Sequence, residues 1–230
     1  MRTPTTPGVG ILLLDTRFPR VLGDIGNEDT WPFPVRYKTV DGATPEAIVQ
    51  GDPRELLGAF VAAAQELIRE GVQGITTTCG FLSLLQDDLK SSLAVPVATS
   101  ALMQIPLINA LLPPAKRAGV ITISRNSLST AHLLAAGAPI DTPVIGTDGS
   151  LFSTAILGNS PELDTAAAQV EIRTAAQELC QRHPDIGALV LECTNMPPYA
   201  AAVAKATGLP VYSIYSFVSW FQSGLRPRIF

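Results

Sequence analysis

Two of the three cysteines in this 230-residue chain stand in matched places. Cys79 closes the run "GVQGITTTCGF" and Cys193 closes "DIGALVLECTN", and each is followed 17 residues later by a proline, Pro96 and Pro210. In an open α/β sheet, ligands bind beyond the carboxyl ends of the strands, and both cysteines are expected at such an end, just before a helix. A helix N-terminus offers unpaired N–H groups and positive potential, which favour a thiolate and an anionic ligand. Polar residues gather at the same ends: Thr76, Thr77, Thr78 and Gly80 beside Cys79, Thr194 and Asn195 beside Cys193. Hydroxyl, amide and backbone donors of this kind suit a carboxylate or an enolate-like oxyanion. A free cysteine titrates near about 8.5, so only a few per cent is thiolate at neutral pH without help. The helix ends are expected to supply that help. Two facing thiols are also coupled, and the resting site is expected to hold one thiolate and one thiol.

Other reactive side chains lack such a setting. Cys180 lies inside the helical stretch "AAQELCQRH" and is read as a small buried hydrophobe. His132 and His183 sit in or near helices with no shared motif, which suits helix-end or surface roles. Asp15, at the tip of the first strand, is either a residue that polarises the cleft or an ordinary strand-end cap.

The elements that position the pair alternate strand and helix. Val9–Leu14 is a continuous apolar run, the mark of a strand buried on both faces. A long polar, Pro- and Gly-rich stretch, 15–33, follows as either a functional loop or a surface loop. "GDPRELLGAFVAAAQELIREG" predicts one helix, with Asp52 as N-cap and Pro53 at its first position. A second long helix is predicted over about 161–183, with Ser160 as its N-cap. Further buried strands are expected at 72–78, 95–99, 119–123, 143–146, 188–192 and 211–213. "GILLLDT" also resembles "GVITIS", which ends at Ser124, so the two halves repeat. The fold class is therefore α/β: two pseudo-symmetric lobes with mostly parallel sheets and the active site in the cleft between them. Residues 1–100, completed by 212–230, form the first lobe and residues 101–211 the second.

Composition narrows the function classes. Hydrophobic residues make up 47% of the chain and charged residues 16%, enough apolar material for a full core. The low charge also points to a face covered by a partner subunit, hence a homo-oligomer. A formal charge of -4 argues against a nucleic-acid partner. No apolar run approaches a membrane span, and the apolar core before Asp15 is too short for a secretory signal. With three Cys and two His, no disulfide scaffold or metal site is expected. A reducing, cytoplasmic setting follows from the free thiols.

The motifs "ITTTCGF" and "LVLECTNMPPY", with the strand end "LLLDT", resemble the aspartate/glutamate racemase superfamily over essentially the whole chain. That group includes amino-acid and hydantoin racemases, maleate isomerases and arylmalonate decarboxylases. Cys193-Thr194 followed by Pro197 is similar to the Cys-Thr-His-aromatic-Pro signature of glutamate racemases, and Asp15-Thr16 to their Asp-Ser. The resemblance implies cofactor-free chemistry, with Cys79 and Cys193 as opposed acid and base. Asp15, Thr16, Thr78, Gly80, Phe81, Ser124, Thr194 and Asn195 would then hold a small carboxylate or amino-acid-like substrate. Two departures stand out: Gly80-Phe81 replaces the Asn-Thr after the first cysteine, and Asn195 replaces the His after the second Cys-Thr. Phe81 favours a bulkier or less polar group than free glutamate carries. The expected activity is a racemase or epimerase at a carbon acid. A maleate-type isomerase, an arylmalonate-type decarboxylase and a non-catalytic carboxylate-binding protein are its alternatives.

Cys180→Ala is expected to keep most activity and to cost stability alone, by about 1 kcal/mol. Loss of turnover in a variant whose circular dichroism is unchanged would refute this.

Overall fold

The computed structural model describes residues 7–229. Its frame is two four-stranded parallel sheets of the same order. In the first, β1 (Val9–Leu14) lies between β2 (Val35–Val40) and β3 (Gly74–Thr77), with β4 (Val97–Ala98) beyond, giving β2-β1-β3-β4. In the second, β5 (Arg117–Thr122) lies between β6 (Val144–Gly146) and β7 (Ile186–Leu191), with β8 (Val211–Tyr212) outermost, giving β6-β5-β7-β8. All pairs are parallel; Ile11 stands opposite Thr76, and Ile121 opposite Leu191. The fold is thus two pseudo-symmetric α/β lobes, as the repeat in the sequence predicts.

The repeat extends to packing. Gly10 in β1 lies against Leu67 of α2 (Leu57–Arg69), where a Cβ would meet the Leu67 Cδ1 at 3.0 Å. Gly119 holds the same place in β5. There a Cβ would meet Ile186 at 2.6 Å and Leu179 of α7 (Thr165–Arg182) at 3.1 Å. Each lobe therefore keeps a glycine where its long helix crosses the central strand.

The helices differ in detail from the sequence expectation. The stretch after Asp52 divides into a 3-10 turn, Pro53–Leu56, and then α2. The helix expected from Ser160 begins at Thr165, because Asp164 accepts from the Ala166 and Ala167 amides at 3.0 and 2.9 Å. Ser160 instead closes a local turn onto the Glu162 amide. Two short helices escape the sequence reading: α1 (Pro45–Val49) and α6 (Leu151–Leu157). The remaining helices are α3 (Gln86–Ser92), α4 (Ile105–Leu111), α5 (Thr130–Ala135), α8 (Ala200–Thr207) and α9 (Ile214–Leu225).

The 15–33 stretch is an ordered loop. Ile25 is fully buried, Trp31 donates from Nε1 to the Ile25 carbonyl at 3.1 Å, and Arg20 pairs with buried Asp24 at 3.0 Å. Among the described residues no helix is long and apolar enough to cross a membrane.

Asp164→Ala is expected to cost about 1 kcal/mol through loss of the α7 cap, and Ser160→Ala only a few tenths. Urea unfolding of both variants measures this, and equal losses would contradict the cap assignment.

Candidate active site

The carboxyl ends of β1, β3, β5 and β7 converge on one cavity. Leu14 and Phe18 reach it from β1, Thr78, Cys79, Gly80 and Phe81 from β3, Ile123 from β5, and Glu192, Cys193, Thr194 and Asn195 from β7. The missed helices close it: α1 contributes Pro45 and Val49, and α6 contributes Ile156 and Leu157. The enclosed volume is about 20 Å³, space for one or two waters. Admission of any larger ligand requires these covering elements to part.

Both cysteines are free, buried and in this one cavity, on opposite walls supplied by the two sheets. Cys79 stands immediately before the 3-10 turn Gly80–Leu85, and the nearby Phe81 and Leu82 backbone amides favour its thiolate. Cys193 receives the Asn195 amide, and its own thiol donates to Asn195 Oδ1 at 3.5 Å. The Asn195 Nδ2 donates to Asp24 Oδ2 at 2.5 Å. Since a carboxylate only accepts, this contact fixes which end of the Asn195 amide faces the sulfur. Arg20 completes the line by pairing with Asp24.

The electrostatics reverse one sequence expectation. Helix-end donors were expected to bring a thiolate within reach, yet burial pushes Cys79 up to about 12 and raises Cys193 well above its ordinary value. The neighbouring Glu192 raises both further, while the backbone donors only partly offset this. In so buried a site desolvation outweighs hydrogen bonds from short turns. Both thiols are therefore protonated in the empty site, in place of the thiolate–thiol pair expected from sequence.

Glu192 is the group the sequence reading passed over. It is fully buried, and burial raises it to about 7, against hydrogen bonds from the Thr122 hydroxyl (2.7 Å to Oε2) and the Ile123 amide. Its Oε1 has no hydrogen-bond partner among the described residues. At Gly80 a Cβ would fall 2.2 Å from that oxygen and 2.6 Å from the Glu192 backbone carbonyl, so only glycine fits against Glu192. The signal was present in "LECTN": a carboxylate at the last buried position of a core strand is rarely tolerated without a role.

Of the residues expected to hold substrate, Thr78, Gly80, Phe81, Thr194 and Asn195 line the cavity. The hydroxyls of the two threonines are engaged within the protein: Thr194 donates to the Thr78 carbonyl at 2.7 Å, and Thr78 Oγ1 accepts from the Leu14 amide at 2.9 Å. Asp15, Thr16 and Ser124 lie outside it. Asp15 is exposed because its backbone is tied to Ala43 and Asn159, which turns its side chain to solvent. Thr16 accepts from Arg20 at 2.9 Å, and Ser124 is held by Asp148 and Ser127 in its own loop. His132 is buried at the start of α5, edge-on to Phe81 at 4.9 Å, and desolvation lowers it to about 4. Cys180 is half-buried in α7, away from the cavity.

No protein-family model matches the chain. It is 30% identical, over 96% of its length and 76% of the relative's, to a dimethylsulfoniopropionate lyase of Durusdinium sp. clade D. It is 29% identical to dimethylsulfoniopropionate lyase 7 of Emiliania huxleyi, over 96% of this chain and 69% of that one. Among solved structures it is similar to an allantoin racemase from Klebsiella pneumoniae, at TM-score 0.66 and 17% identity, covering 94% and 87% of the two chains. An arylmalonate decarboxylase structure matches at TM-score 0.58 and 14% identity, covering 94% and 92%. The two-lobed fold is the one these racemase and decarboxylase structures share, as the sequence resemblance implies, and the chain is an enzyme. The expected racemase or epimerase activity, and with it the isomerase class, is overturned: the relatives similar over nearly the whole chain are lyases.

Because Glu192 rises from the ordinary 4.5 to about 7 on folding, the folded state favours its protonated form. The associated stability is complete below about pH 4.5 and is lost as pH rises through 7. Glu192→Gln is expected to melt higher than the parent at pH 8, with the gap closing as pH falls to 4.5. Thermal melts across that range check it, and a gap independent of pH would contradict the assignment.

Proposed function

The chain belongs to the family of dimethylsulfoniopropionate lyases, and on that footing we propose that it cleaves dimethylsulfoniopropionate by β-elimination at its paired cysteines. The observation that carries this reading is the placement of both thiols in one closed, mainly apolar cavity at the strand ends.

The reaction balances without a further reagent. One sulfur, as thiolate, takes a hydrogen from C2 and becomes a thiol. The electron pair of that C–H bond forms the C2=C3 double bond. The C3–S bond breaks, and its electron pair leaves on sulfur as neutral dimethyl sulfide, with acrylate as the second product. Removing a proton beside a carboxylate needs stabilisation of the developing enolate-like charge. The wall formed by Thr78, Gly80, Phe81, Thr194 and Asn195 receives the carboxylate end in this reading. The raised thiols also find their remedy in the substrate: a sulfonium cation in a low-dielectric cavity favours a neighbouring thiolate. The base is thus activated as substrate binds, its thiol proton passing to solvent water on the way to the thiolate, and the cavity, once closed, keeps water from competing.

Elimination needs one base, whereas inversion at carbon needs two. A sulfur fixed on one wall reaches only the C2 hydrogen that points at it. Substrate deuterated at one of the two enantiotopic C2 positions is expected to lose all of its label or none, with dimethyl sulfide and acrylate formed in equal amounts. Of Cys79→Ala and Cys193→Ala, the one that removes the base is expected to slow dimethyl sulfide release by about 100-fold or more. Equal loss of label from both positions, or near-full turnover by both variants, would sink the scheme.

A further inference from the structure

Glu192 has no part in the elimination just described, yet it lines the same cavity as the two thiols and raises both. Among the described residues it is the one carboxylate that lines the cavity, and no Lys, Arg or His lines it. The nearby cation Arg20 is already engaged, by Asp24 at 3.0 Å and Thr16 at 2.9 Å. Glu192 itself is fully buried, with Oε2 satisfied by Thr122 and Oε1 without a partner. Leaving a buried carboxylate oxygen unpaired is costly. The chain keeps it there, packed against the bare backbone of Gly80.

We propose that Glu192 is a specificity-determining residue, whose unpartnered Oε1 receives the onium end of the substrate while Phe18, Phe81 and the aliphatic walls take its methyl groups. The inference rests on the lyase reading and deepens it, by naming what the cavity selects. A cavity with one anion and no cation is ill-suited to a plain dicarboxylate and well-suited to an acid whose far end is positive. The Phe81 ring adds attraction for a methylated cation, whereas the Phe18 ring already carries the Arg20 guanidinium at 4.5 Å and offers apolar contact. Low dielectric strengthens the pairing beyond its value in water. The same pairing helps product leave: once the C3–S bond breaks the sulfur is neutral, and its attraction to Glu192 is gone. An onium that cannot depart, such as a trimethylammonio group, stays bound.

Two unreactive probes isolate the charge: 3-(trimethylammonio)propionate, and 4,4-dimethylpentanoate, which carries a neutral tert-butyl end of the same shape. Calorimetry on the wild-type protein is expected to show at least about tenfold tighter binding of the cationic probe. In Glu192→Gln that preference is expected to vanish, with KM for dimethylsulfoniopropionate rising by about tenfold or more and affinity for the neutral probe unchanged or tighter. Wild-type protein that binds both probes equally, or neither, overturns the proposal, and so does a Glu192→Gln variant that keeps the preference. The wild-type comparison stands even where the variant fails to fold. A wild-type protein that prefers the cation but releases no dimethyl sulfide supports onium recognition and refutes the lyase reading instead.

Discussion

Burial of three proton-holding groups in one small cavity is the constraint from which the rest of the site follows. Cys79, Glu192 and Cys193 are at most 8% exposed. In such a medium a charge is tolerated only where something balances it. Each of the three is raised above its ordinary value, so the empty site leans toward its neutral forms. The contacts around them answer the same demand. Backbone amides face the Cys79 sulfur, Thr122 and Ile123 donate to Glu192, and Asn195 is held so that its oxygen meets the Cys193 thiol. A cationic ligand changes the balance at once, because it stabilises the carboxylate and a thiolate together.

Holding that cavity closed takes parts from both halves of the repeat. Thr194 of the second half bonds to the Thr78 carbonyl of the first, and Phe81 packs edge-on to His132. Over the mouth, α1 of the first half meets α6 of the second. Just past α6, Asn159 accepts from the Arg17 amide at 2.6 Å and donates to the Asp15 carbonyl at 3.4 Å. The 15–33 loop is therefore tied down at its start by the opposite half, and Asp24 further along it orients Asn195. Asp24 and Arg20 act on Cys193 through Asn195, which makes them positioning residues.

The sequence made legible whatever depends on periodicity and repetition. Buried β-branched runs located the strands, and the shared Cys-to-Pro spacing placed Cys79 and Cys193 on facing walls. Three things escaped it for physical reasons. Helices α1 and α6 are five and seven residues long, too short for an amphipathic period to register. Asp15 fits a motif, but its side-chain direction is set by contacts with Ala43 and Asn159, which are remote in sequence. The thiols' protonation depends on how completely water is excluded, and local sequence carries no measure of that. A helix-end argument considers the donors at one sulfur; the structure adds desolvation and a carboxylate, and these prevail.

The same exclusion of water explains how a fold shared with racemases can serve a lyase family. In the proposed scheme the first step is common: a thiolate takes a proton beside a carboxylate and leaves an electron pair on carbon. The substrate decides what happens next. Without a leaving group at the neighbouring carbon, the pair waits for a proton from the opposite wall. With a sulfonium there, the pair moves into a double bond and a neutral sulfide departs. Two thiols are compatible with either outcome, so the cysteine motifs identified the fold without identifying the reaction. What differs is the charge at the far end of the substrate. In this chain, the feature of the cavity that responds to such a charge is the buried carboxylate of Glu192, next to the bare backbone of Gly80.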